Sequence, residues 1–388
     1  MIRVRLCVGV RGTIGAAVDR YIVRSACSLH RPPMPTLCLT MNMIDSVRPL
    51  RTACALLVAT LVAVGGAAAQ DKVLNLYSAR HYSTDEALYD NFTKETGIKI
   101  NRIEGSEDQL LQRIKSEGAN SPADVFLTVD AGRLWIADQD GVFQPIHSKV
   151  LDERIPAAYR LASGTWYGLS TRARVFVVDK SKVKPGDINT YEDLADPKWK
   201  GQICTRSGSH VYMLSLLSSI IEHDGAAKAE AWAKGVVANL ARQPKGGDTD
   251  QIKAVAAGEC AIALSNSYYI ARMMKSTKPD DRAVMERVRV VWPNSNGRGV
   301  HMNVSGGGVL KYAPHKDNAV RFLEYLVSDE AQGYFANGNN EWPVVATYKV
   351  KNPALDAMGT FKPDPINMIA LGKNQRLAQE IVNRVGWK

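Results

Sequence analysis

Tyr268 and Tyr269 stand side by side where the apolar run CAIALSNS (260–267), which reads as a strand, gives way to YYIARMM. A buried strand running into a polar turn delivers its next side chains to the sheet's edge, the usual cleft position. Tyr212 holds an equivalent place near the start of VYMLSLLSSIIEH, a mostly apolar helix after the strand-like GQICTRS. In YSARHY (77–82), His81 and Tyr82 come just beyond the first expected strand. Four phenols and one imidazole thus gather at strand-to-helix ends. Phenolate is a hard anion, and a highly charged hard cation can displace the phenol proton despite a free pKa near about 10. Carboxylate sets suit Mg or Ca and Cys/His sets suit Zn, so a tyrosine-rich set with at most one histidine points to Fe(III). Four phenolates on Fe(III) carry a net charge of about −1 by simple count. Arg80, Arg172, Arg206 and Arg272 all lie close to these motifs in sequence and would balance it. Tyrosines also flank sugar and amine pockets, so spacing alone leaves an organic ligand, polyamine or thiamine-like, open.

Catalytic patterns are missing from the sequence. It has no Gly-x-Ser-x-Gly elbow, no Gly-x4-Gly-Lys-Ser/Thr loop and no His-Glu-x-x-His. A cysteine nucleophile at Cys204 or Cys260 would lie within an apparent strand with no evident base beside it. His147, His210, His223, His301 and His315 are scattered and read as surface or packing residues. Gly306-Gly307-Gly308 falls between two expected strands, GVHMNV and VLKYA, and reads as a tight backbone passage. The expectation is a binding protein, not an enzyme.

The elements that position these residues alternate. VLNLY, IKINRIE and ADVFLTV read as strands, each followed by a helix. Ser83-x-x-Glu86 and Ser106-x-x-Gln109 are capping-box patterns opening the first two helices, which Gly97 and Gly118 close. Three β-α units imply an α/β fold with a mostly parallel sheet. WYGLSTRARVFVVD (166–179) breaks the rhythm before a second α/β set begins. HKDNAVRFLEYLVSDEAQGYFA supplies two later helices. The economical arrangement is two α/β lobes joined by extended crossovers near 168–174 and 290–300, with a cleft and hinge between them.

The N-terminal part stands apart. TACALLVATLVAVGGAAA (52–69) is an apolar run preceded by Arg48 and Arg51 and ending in Ala67-x-Ala69, the layout of a cleaved secretory signal peptide. Residues 1–40 have no clear period, and translation is expected to start at Met41 or Met43. The whole chain holds 49 basic and 39 acidic residues, a net +10; residues 1–69 hold eight arginines and two aspartates, which leaves 41 and 37, or +4. No basic run suggests nucleic acid. Cys204 and Cys260 are the cysteines left after that segment, able to pair in an oxidising compartment or to stay as buried thiols. No cysteine marks a lipid-anchor site.

LYSARHYSTDEALYDNFTKETGIKI, WYGLSTRARVFVVD and GECAIALSNSYYIARM together resemble the periplasmic ferric-iron-binding proteins of ABC transporters, in particular the FutA/FbpA-like members. The likeness covers essentially all of 71–388. It implies the two-lobed type II periplasmic-binding-protein fold, with 70–170 and 295–345 forming the first lobe and 171–294 and 346–388 the second. It also implies Fe(III) as transported ligand, a permease in the inner membrane as partner, a monomer, and a periplasmic location. Carried over residue by residue, the iron ligands are Tyr82, Tyr212, Tyr268 and Tyr269. His81 matches a histidine that ligates in some members and stands aside in others. Some branches complete the coordination with an anion, whereas the RHY pattern resembles the branch that manages without one. Arg172 and Arg272 are the supporting arginines. VFVVD departs from the family in lacking a tyrosine often found at the end of that strand.

Overall fold

The computed structural model describes residues 72–80 and 82–388. The upstream segment, the signal-peptide run and His81 lie outside these residues. The first units build as expected: β1 (Val73–Ser78), α1 (Asp85–Thr96), β2 (Lys99–Glu104), α2 (Glu107–Glu117), β3 (Val125–Thr128) and α3 (Ala131–Gln139). Ser106 and Gln109 form the capping box of α2, each side chain bonding the other's backbone N–H. The Ser83 box does not form. Thr84 occupies the cap position of α1 without capping it, because its hydroxyl bonds Asn339 Oδ1 instead. After α4 (Lys149–Arg154) comes β4 (Tyr167–Asp179), thirteen residues that are all buried.

The second set comprises β5 (Ile203–Cys204), α5 (Val211–Asp224), α6 (Ala226–Ala238), α7 (Asp248–Ala256), β6 (Ile262–Asn266), α8 (Ser267–Met274), α9 (Pro279–Arg287) and β7 (Val288–Val291). GQICTRS yields only two strand residues. The chain returns through β8 (Met302–Val309), α10 (Lys316–Leu326), α11 (Asp329–Asn337) and β9 (Trp342–Pro343). It ends with α12 (Pro353–Ala357) and α13 (Met368–Val385). Where two strands were expected around the glycine run there is one, and all three glycines are inside it. Its passage is tight: an added Cβ would meet Tyr167 O at 2.4 Å from Gly306, Phe126 O at 2.6 Å from Gly307 and Thr165 O at 2.2 Å from Gly308.

Strand order is β2-β1-β3-β8-β4-β6-β5. β1 pairs in parallel with β2 and β3, and β8 runs antiparallel between β3 and β4. β4 is the long crossing element. It pairs with β8 from Tyr167 to Ala173 and with β6 from Arg174 to Val178, so it changes neighbours between residues 173 and 174. The return segment meets it there, with Arg174 N donating to His301 O and Ala173 facing Met302, just beyond the expected 290–300. One core lies under β1 and β3 with Phe92 and Phe322, another under β4 and β6 with Trp232 and Ile381. Cys204 and Cys260 form a disulfide with Cα atoms 5.9 Å apart, tying β5 to the start of β6. No described helix is long and apolar enough to cross a membrane.

Candidate metal centre

All four tyrosines come together, and helix starts carry them. Tyr212 is the second residue of α5, Tyr268 and Tyr269 are the second and third of α8, and Tyr82 lies three residues before α1. The N-terminal end of a helix presents free N–H groups and a positive dipole, which favour anions such as phenolate. Tyr268 donates to the Tyr212 hydroxyl at 3.2 Å. Its ring meets Tyr82 edge-on with centroids 5.9 Å apart and lies 4.4 Å from the ring of Tyr269. Tyr212 and Tyr268 are buried; Tyr82 and Tyr269 are half-buried, although the Tyr82 hydroxyl itself is out of reach of solvent. Val129, just after β3, packs with Val211, Tyr212 and Tyr269.

Every phenol is held in its neutral form. Burial pushes Tyr82 up to about 12, the Glu341 carboxylate adds to the rise, and Arg172 and Arg80 oppose it. Burial also raises Tyr268, with Tyr82 next; it raises Tyr212, with Tyr268, Tyr82 and Tyr269 next; and it raises Tyr269, with Tyr268 next. Four phenols that each resist ionising beside the others form a site that only a strong, hard cation would deprotonate. Among the described residues there is no cluster of His, Cys, Asp or Glu able to hold a metal.

Guanidinium groups surround the rings. Arg172 is buried, with Nη2 donating to Ser305 Oγ at 2.7 Å and standing 3.5 Å from Glu341 Oε1. Arg272 is exposed and lies over the Tyr269 ring at 5.0 Å, as Arg206 lies over Tyr212 at 5.0 Å and Arg80 over Tyr82 at 4.8 Å. Arg174 escaped the sequence reading, although strand alternation puts it on the same face as Arg172. It pairs with Asp248 Oδ2 at 2.5 Å and lies 5.9 Å over Tyr212. Asp248 also accepts from Arg206 at 3.2 Å. Glu341 was missed too; its partner Arg80 is 261 residues away, and no local pattern announces such a pair. His210, read as a packing residue, caps α5 by accepting from Tyr212 N at 3.2 Å. Burial, then Arg206, holds its pKa down at about 3, so it stays a neutral acceptor.

A family profile described as bacterial extracellular solute-binding protein matches residues 120–362, more than half of the chain. The chain belongs to this family. This solute-binding protein is 50% identical over 319 residues to iron uptake protein A1 of Synechocystis sp., covering 82% of this chain and 88% of that protein. It is 30% identical to the major ferric iron-binding protein of Neisseria meningitidis over 318 residues, 80% of this chain and 89% of that one. Among solved structures it is similar to a Trichodesmium FutA in complex with iron and citrate, with 56% identity and a TM-score of 0.78, covering 81% of this chain and all of that one. The two-lobed fold expected from sequence is that of these solute-binding proteins.

Proposed function

We propose that this solute-binding protein captures Fe(III) in the cleft between its lobes through the phenolates of Tyr82, Tyr212, Tyr268 and Tyr269, and hands it to an ABC importer in the inner membrane. The convergence of four phenols, two buried and two half-buried, on three helix starts carries the reading. The surrounding charges support it. Arg80, Arg172, Arg174 and Arg206 face Asp85, Glu341 and Asp248, which leaves one positive charge over, and Arg272 over the Tyr269 ring adds a second. That surplus offsets the net charge of about −1 on a tetraphenolate Fe(III) centre. The names of the Synechocystis and Neisseria relatives point the same way.

In this reading iron enters first at Tyr212, Tyr268 and Tyr269, and hinge closure about residues 173–174 and 300–302 brings Tyr82 onto the metal. The moving bodies are 70–170 with 295–345 and 171–294 with 346–388. His81 is a fifth candidate ligand. The protein reaches the periplasm through a signal peptide cleaved after Ala69 and works there as a monomer, the closed form docking on the permease. Protonation of phenolates, or reduction to Fe(II), which phenolates hold less well, releases the metal.

The test is competition with a ferric chelator, comparing wild type with Tyr268→Phe/Tyr269→Phe. Loss of even a group that supports a ligand lowers metal affinity by about 10–100-fold, so loss of two ligands should lower it by well over 100-fold. Unchanged affinity in a folded double variant would show that the site is elsewhere.

A further inference from the structure

Glu341 lies outside the tyrosine-bearing segments, yet it is completely buried beside them. Its Oε2 accepts from Ser170 Oγ at 2.8 Å and from Arg80 Nη2 at 3.3 Å. Its Oε1 has no hydrogen-bond donor and stands 3.5 Å from Arg172 Nη2. Arg172 is equally uncommitted: apart from the bond to Ser305, its Nε and Nη1 are buried without hydrogen-bond partners. Arg80 does not depend on Glu341 for its countercharge, because Asp85 takes it with bonds of 2.8 and 3.2 Å. A carboxylate kept only for stability would have both oxygens satisfied, since a half-paired buried charge is expensive. The backbone is also forced into place. Asn340 has φ 58, and its neighbour Asn339 is fixed by donating to Asp85 at 2.7 Å.

We infer that Glu341 is a positioning residue that keeps the iron releasable, by competing with the tyrosinates for Arg172 and by placing a fixed negative charge beside the metal cluster. The inference rests on the tyrosinate reading above. Iron binding turns four neutral phenols into a centre of net charge about −1, and a fixed carboxylate alongside opposes that change. Arg172 faces the carboxylate only through Nη2 and keeps Nε and Nη1 free, so what the carboxylate and the phenolates compete for is the guanidinium's charge. Without the carboxylate, the positive charge of Arg172 acts undivided on the phenolate oxygens.

The experiment loads wild type, Glu341→Gln and Glu341→Asp with iron, then follows release to a strong ferric chelator together with the visible spectrum. Glu341→Gln should release iron about tenfold more slowly. Its phenolate-to-iron band should move to shorter wavelength, because Arg172 stabilises the phenolate donors. Glu341→Asp, which keeps the charge, should stay near wild type. Release from folded Glu341→Gln that is as fast as wild type or faster, with the band unmoved, overturns the inference, and a merely structural role gives that outcome. Should Glu341→Gln fail to fold, Ser170→Ala carries the test. It frees the carboxylate to close on Arg172, so release should quicken several-fold, and an unchanged rate overturns the inference. A wild-type protein that takes up no iron refutes the tyrosinate function itself, which is a separate result.

Discussion

Tyr82, Tyr212, Tyr268 and Tyr269 are neutral phenols in this structure, with burial as the first cause of each raised pKa. Each must lose its proton to become a ligand, so iron binding should release about four protons per metal. Affinity should therefore fall steadily as pH falls, which a dye-based proton count and chelator competition across pH would check. The same shifts set alkaline stability. A group whose folded pKa is raised stabilises the fold below its unfolded value near about 10, and that contribution is lost as pH climbs through the folded value. Iron-free protein should therefore lose thermal stability above about pH 10, and Tyr268→Phe should lose less of it. The residues of this site were legible in part. The tyrosines announced themselves by adjacency and by their place at strand ends, and Arg172 by proximity. Glu341, Arg174 and Asp248 did not, because they meet their partners only through the fold.

β4 and β8 run through the proposed hinge, and β8 makes the glycine run the tight backbone passage expected, though inside one strand rather than between two. Three consecutive glycines suggest a break between strands, but here each lies where a neighbouring carbonyl would collide with a Cβ. Alanine at Gly308 should destabilise the protein by about 1–3 kcal/mol or more, the usual range for overpacking, as chemical denaturation would show. Helices with a clear period or a satisfied cap, such as α2, were readable, whereas the cap of α1 was lost to a distant competitor, Asn339. α13 was not read from sequence at all, and it packs against both α3 and α5. The disulfide holds β5 against β6, and so ties the segment that leads to Arg206 and Tyr212 to the strand that leads to Tyr268. Replacing both cysteines with serine should cost about 2–4 kcal/mol of stability, measured as a drop in denaturant midpoint.

At the scale of the molecule, the proposed function requires two α/β bodies to close on a metal and open again. Ser215, three residues after Tyr212 on α5, donates to Asp130 Oδ2 at 2.7 Å at the start of α3, and both are buried. By the proposed lobe bounds, that bond joins the two lobes. Ser215→Ala removes it without touching a ligand, and one hydrogen bond is worth about 0.5–1.5 kcal/mol net. Iron release should quicken by roughly two- to tenfold, with the colour of the loaded protein unchanged. His301 sits at the proposed hinge, buried, with burial and then Arg174 holding its pKa down at about 3. It must stay neutral to remain there, so its contribution to stability is intact above about pH 6.5 and is lost as pH falls toward the folded value. The alternation of strands and helices made the two-lobed plan legible, whereas the contacts that lock the lobes belong to no local pattern. The central claim is tyrosinate ligation, and the visible absorption spectrum of the purified protein loaded from a ferric chelate tests it most directly. A red-orange band that bleaches with dithionite, and that Tyr268→Phe/Tyr269→Phe abolishes, is the expected result. A colourless protein that takes up no iron would contradict the account and return the cleft to an organic ligand.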